Sequence, residues 1–160
     1  MEKETGMEKK EKSYEALRLK NQICFPLYAC SKEVIRRYKP LLDELDLTYT
    51  QYIAMMVLWE KKQLHVNELG EHLFLDSGTL TPLLKKLEQK GYISRCRCED
   101  DERAVMICIT EKGEQLREEA LKVPMAMGSC IHLSEEEAAF LYRILYKILG
   151  EFDLHVPDEV

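Results

Sequence analysis

Six cysteines, Cys24, Cys30, Cys96, Cys98, Cys108 and Cys130, have the widest chemical range in this sequence: they can form bridges, ligate metal or act as redox nucleophiles. A disulfide framework belongs to small, secreted, loop-rich chains. Residues 1–12 instead alternate Glu and Lys with no apolar core for a signal peptide, so a cytoplasmic chain with mostly reduced thiols is expected. Cys96 and Cys98 form a C-x-C that strand alternation points to one face, with no histidine at ligand spacing, so no metal is expected there. His65, His72, His132 and His155 are scattered without an HExxH, and neither a Gly-rich phosphate loop nor a hydrolase triad is present. The expectation is therefore no cofactor and no enzyme. Taken alone, Cys24 on an apolar helical face reads as a small buried hydrophobe, and Cys30 and Cys108 read as core fillers.

Charge is distributed unevenly. The 160 residues carry a formal net charge of −6, which at first argues against a phosphate-rich partner. Residues 76–98, however, hold Lys85, Lys86, Lys90, Arg95 and Arg97 against Asp76 and Glu88, a local +3 that leaves −9 for the rest. A basic window of this kind suits contact with a nucleic-acid backbone.

A hydrophobic content of 46% over 160 residues is enough for one ordinary domain. No apolar run approaches the ~20 residues that span a bilayer, so no membrane partner is expected. Residues 1–13 read as a disordered tail, because Glu and Lys without apolar partners cannot offset the entropy of ordering. Residues 14–160 read as a single domain. Helical spacing places Cys24, Leu27, Tyr28, Ser31, Ile35 and Tyr38 on one face of a helix that ends where Pro40 interrupts it. Pro26 either starts a helix segment, which would set Cys24 near its positive end, or kinks a longer helix. Thr48 caps a second helix carrying Tyr52, Met55, Met56 and Trp59, closed by the polar run 60–63.

A short helix at 66–74, with Val66, Leu69 and Leu73 inward, is followed by a tight break and a helix capped by Asp76 or Ser77 that runs to about Lys90. In the latter, Leu80, Leu83, Leu84 and Leu87 make a buried stripe. The opposite face, Gly78, Thr81, Pro82, Lys85 and Gln89, flanked by Lys86, is small, polar and cationic, as a groove-filling surface requires. Gly91 ends this helix, and residues 92–98 and 104–109 read as two strands of a hairpin with Arg95 and Arg97 on the face opposite Ser94, Cys96 and Cys98. Thr110 caps a helix from 111 to about 123, broken by Pro124, and Ser134 with Glu137 opens a last helix with an apolar stripe of Ala138, Leu141, Ile144, Leu145, Ile148 and Leu149. The expected fold is mainly α with a small β-hairpin wing, an α+β winged helix-turn-helix. Its terminal helices, about 14–45 and 111–152, are expected to dimerise around a DNA-binding lobe at about 48–110. A homodimer presents two recognition helices to a palindromic double-stranded site.

Residues 75–88, Leu-Asp-Ser-Gly-Thr-Leu-Thr-Pro-Leu-Leu-Lys-Lys-Leu-Glu, resemble the recognition helix of the OhrR branch of the MarR family, and Asp101-Glu102-Arg103 resembles the Asp-x-Arg of the MarR wing. Residues 21–28, Asn-Gln-Ile-Cys-Phe-Pro-Leu-Tyr, resemble the segment that carries the peroxide-sensing cysteine in OhrR and in related staphylococcal redox regulators. The resemblance covers roughly residues 15–150 and implies a repressor in which an organic hydroperoxide oxidises Cys24 to a sulfenic acid. Tyr38 and Tyr49 match the tyrosines whose hydroxyls surround the thiol across the dimer interface and favour the thiolate. Cys130 stands where two-cysteine members carry a resolving thiol; the alternatives are a structural cysteine and completion of the oxidation by a low-molecular-weight thiol. Ser77, Thr79, Thr81, Lys85 and Lys86 would face the major groove, with Arg95, Asp101 and Arg103 on the wing. Arg103 would enter the minor groove while Asp101 orients a neighbouring basic group, unless the two simply form a turn salt bridge. The alternatives are a regulator of the same fold that answers a small phenolic ligand, a broader redox or virulence regulator, and a thiol peroxidase.

Overall fold

The structure is a computed structural model that describes residues 14–97, 105–128 and 130–152, with Cys96 and Arg97 described by backbone alone. The chain divides into two compact units, residues 1–38 and 39–160. From Tyr14 the first unit contains a 3-10 turn, Leu19–Asn21, and the start of α1 (Cys24–Asp43). Ile23, Phe25, Leu27, Tyr28 and Ile35 are exposed, and Leu42 is the buried residue of α1. The helix does not end at Pro40 as its sequence suggested but continues to Asp43. Proline withholds one N–H and crowds the carbonyl four residues back, and near a solvent-exposed helix end water can satisfy that carbonyl.

In the second unit Thr48 caps α2 (Tyr49–Lys61) through a capping box with Gln51. Tyr52, Ala54, Met55, Leu58 and Trp59 of α2 are buried, whereas Met56 is exposed. The polar run that closes α2 leads into a strand the sequence did not signal, β1 (Gln63–His65), since three residues are too few for a visible alternation. Next come α3 (Val66–Leu73), α4 (Ser77–Gln89), β2 (Ile93–Arg97) and β3 (Val105–Ile109). The sheet is antiparallel, ordered β1-β3-β2, with Leu64 opposite Ile107 and Ser94 opposite Cys108. β3 is therefore central and ties the hairpin to the helical core.

Asp76, not Ser77, caps α4: its Oδ1 accepts the Thr79 N–H at 2.8 Å. That backbone hydrogen bond holds the Asp76 carboxyl below its ordinary range. A depressed folded-state pKa contributes stability that is present above the unfolded value of about 3.9 and lost as pH falls through the folded value. Asp76→Ala is accordingly expected to melt below wild type at pH 7, with the gap closing as pH falls under about 4 in thermal melts across pH. Gly91 adopts φ 75° just past α4, the left-handed stop that glycine provides.

Thr110 caps α5 (Glu111–Ala120), and α6 (Lys122–Gly128) follows after a turn at Leu121. The break expected at Pro124 comes earlier because a proline has no N–H for the carbonyl four residues back; it sits instead in the first turn of α6, where no such bond is needed. α7 (Glu135–Gly150) begins at the expected Ser134–Glu137 capping box. None of its residues is buried, and Phe140, Leu141, Tyr142 and Ile144 are exposed.

Candidate DNA interface and thiol site

The helix-turn-helix is positioned from inside. Leu80, Leu83, Leu84 and Leu87 of α4 are buried, with Leu69 of α3 fully so and Val66 and Leu73 half-buried. This leaves Ser77, Gly78, Thr79, Thr81, Pro82, Lys85, Lys86 and Gln89 exposed on the outer surface of α4. The Thr79 hydroxyl donates to Asp76 Oδ2 at 3.3 Å and the Thr81 hydroxyl to the Ser77 carbonyl at 2.8 Å, so both oxygens are oriented and retain acceptor capacity. Among the described residues neither Lys85 nor Lys86 pairs with an acid, so both ammonium groups stand ready for a phosphate or a guanine edge.

Arg95 on β2 lies 3.3 Å from Glu88 of α4, a link between wing strand and recognition helix that the sequence did not disclose because the elements are joined only in the fold. Both side chains are about two-fifths exposed, so the pair adds little stability and chiefly places Arg95. A cleft of about 400 Å³ opens beside it, lined by His65, Asn67, Thr81, Leu84 and Arg95 among others. Asp101 and Arg103, the expected wing-tip residues, lie outside the described residues, as does Cys98.

The thiol site centres on Cys24, which is free and exposed as the first residue of α1. It is not the buried hydrophobe that an apolar face alone suggested. Pro26 falls in the first turn, where its missing N–H costs nothing, so the helix starts here and is not kinked. Gln22 O accepts the Phe25 N–H at 3.2 Å. Cys24 therefore sits at the N-terminal end of α1, exposed to solvent.

Tyr38 is half-buried on the same helix, fourteen residues on, which at 1.5 Å per residue is about 21 Å along the axis. The two side chains cannot meet within one chain. Tyr49 opens α2 half-buried, and burial raises its hydroxyl pKa, keeping it a neutral donor. Cys130 is free and exposed just after α6, its sulfur 3.5 Å from the Ala126 carbonyl. Cys30 is exposed and free, not a core filler. Cys108 is half-buried on β3 and disulfide-bonded, which corrects its reading as an inert, reduced filler.

A helix-turn-helix with a following antiparallel hairpin, an open cationic recognition face and an arginine at the wing base defines a winged-helix DNA-binding regulator. Residues 36–120 match the family described as Transcriptional regulator SarA/Rot. The chain is 48% identical over 139 residues to the organic hydroperoxide resistance transcriptional regulator of Bacillus subtilis, covering 87% of this chain and 95% of the relative. Among solved structures, reduced AbfR bound to DNA superposes with a TM-score of 0.72 at 35% identity, over 89% of this chain and 99% of that one. The disulfide-formed state of AbfR, a protein of Staphylococcus epidermidis, gives a TM-score of 0.59 at 35% identity, over 89% and 97%. The chain belongs to the MarR-type winged-helix transcriptional regulators, in their OhrR-like branch.

Proposed function

We propose that this chain is a homodimeric, cytoplasmic repressor that holds a palindromic operator while Cys24 is reduced and releases it when an organic hydroperoxide oxidises Cys24. The observation that carries this reading is the free, exposed Cys24 in the first turn of α1. Its sulfur attacks the terminal oxygen of the hydroperoxide, the O–O bond breaks, the carbon-bearing oxygen leaves as the alcohol, and a sulfenic acid remains. Tyr38, remote from Cys24 in its own chain, serves the thiol of the second protomer, with Tyr49 as a further donor. Cys130 is the resolving thiol; a small cellular thiol serves where it does not reach.

The exposed apolar residues of α1 and α7 support helices of about 14–45 and 111–152 as the dimer interface, around a DNA lobe at about 48–110. Within that single domain of residues 14–160, Ser77, Thr79, Thr81, Lys85 and Lys86 enter the major groove, and Arg95, Asp101 and Arg103 form the wing contacts. The chain stores a signal and does not turn over, so it is a regulator and not a thiol peroxidase.

The test is operator binding by anisotropy with a modest excess of organic hydroperoxide, alongside a count of remaining thiols. Release concurrent with loss of a thiol supports the reading; release without it, or loss without release, refutes it. Lys85→Ala is expected to lower operator affinity and to reduce the slope of log K against log salt by about one unit. Unchanged affinity and slope would remove Lys85 from the interface. The cleft beside Thr81 and Arg95 favours a second reading, in which a small organic ligand displaces DNA with Cys24 inert. Hydroperoxide-insensitive binding would point to it.

A further inference from the structure

The disulfide of Cys108 plays no part in the Cys24 chemistry. Cys24, Cys30 and Cys130 are free, so within the chain the second sulfur belongs to Cys96 or Cys98. The strand register separates these two. Cys108 faces Ser94 across the β2–β3 ladder, and Cys96, opposite Met106, stands one diagonal step away on the same face of the sheet. Diagonal neighbours lie roughly 7–8 Å apart with their Cβ atoms closer, at the upper edge of disulfide reach. Cys98 follows the end of β2 and lies outside the described residues. The Cys108 sulfur is also 3.9 Å from Gln63 Oε1 on β1, in the middle of the three-stranded sheet. A bridge here staples the outer wing strand, which carries Arg95, to the central strand that anchors the wing to the core.

We propose that Cys96 and Cys108 form a second redox switch, a reversible disulfide inside the wing that sets DNA affinity independently of Cys24. The proposal rests on the DNA-binding reading, because bridges in compartments that hold DNA are typically transient and redox-sensing, not structural. An organic hydroperoxide supplies the oxidising equivalents. One thiolate takes an oxygen from it and releases the alcohol, and the second thiol then displaces that oxygen as water. The sum is two thiols and one hydroperoxide giving one disulfide, one alcohol and one water.

The experiment uses the full chain carrying Cys24→Ser, Cys30→Ser and Cys130→Ser, three exposed positions that the core does not depend on. The protein is treated with cumene hydroperoxide or with dithiothreitol and digested with trypsin without reduction. Cleavage after Arg95, Arg97 and Arg103 separates Cys96 in residues 96–97 from Cys98 in residues 98–103, while Cys108 is carried in residues 104–112. The expected map links 104–112 to 96–97 in the oxidised sample, and oxidation changes operator affinity by roughly fivefold or more, the lower end of typical coupling between sites. Cys108→Ser on this background should abolish both effects. A link to 98–103, no link, or affinities within about twofold of each other would overturn the proposal. The peptide map needs no DNA, so absent operator binding in the reduced protein would sink the proposed function while the map still decides the bridge.

Discussion

In a chain whose Cys108 is already serine, so that the wing cannot bridge, Cys24→Ser is expected to bind operator as tightly as its reduced parent and to remain bound under organic hydroperoxide, where the parent releases. Serine preserves size and hydrogen bonding at an exposed first-turn position, so the fold has little reason to respond. What it lacks is a sulfur that can attack a peroxide and accept an oxygen. The difference should be large, because in the proposed dimer oxidation places a new polar group, and then a bulky disulfide partner, at the interface that would fix the spacing of two recognition helices. A shift from mostly bound to mostly free requires at least a tenfold change in affinity, about 1.4 kcal/mol. Cys130→Ser then separates the two routes: if it still releases but forms no intersubunit bridge, a small thiol completes the chemistry, and if it fails to release, Cys130 is the resolving group. Release by the Cys24→Ser, Cys108→Ser chain at the parent's peroxide doses would end the sensing assignment.

Gly113→Ala is expected to destabilise the second unit strongly even though alanine is the better helix former. An added Cβ would run into the Tyr92 carbonyl oxygen and lie 2.8 Å from Ile109 Cγ1. The first of these is backbone and cannot rotate away. Helix propensity gains about 1 kcal/mol from the change, and overpacking of a tight site costs typically 1–3 kcal/mol and sometimes more, so the clash wins. A net loss of about 2 kcal/mol corresponds to roughly 4–8 °C in a chain of this size. Trp59 reports the change directly: it is the chain's one tryptophan, and its indole N–H donates to the Gly113 carbonyl at 2.8 Å. A shifted Trp emission together with a lower melting point is the expected pair of results. A melting point at or above wild type would mean that α5 can slide away from the hairpin without cost.

Much of this fold was legible because its signals are local. The Leu80, Leu83, Leu84, Leu87 stripe, the Thr48, Thr110 and Ser134 caps and the Gly91 stop each act through bonds or contacts within a few residues, and each appears in the structure where the sequence placed it. Helix ends near proline were harder. Pro40 is tolerated inside the end of α1, and Pro124 moves the break from its own position back to Leu121. In both cases the outcome depends on whether an orphaned carbonyl finds another partner, which spacing does not encode.

For the site, residue types and helical spacing by themselves determined the exposed cationic face of α4, because a 3.6-residue period divides a helix into inside and outside before any packing is known, whereas Cys24 stood out only through the resemblance of residues 21–28 to the OhrR segment. Only the tertiary structure decided the rest. It supplied β1 and the central place of β3, the Glu88–Arg95 link, the bridged state of Cys108, and the exposed position of Cys24 at the start of α1. These are relations between segments distant along the chain or fixed by where a helix begins, and they arise when hydrophobic burial brings those segments together, with no local pattern to announce them.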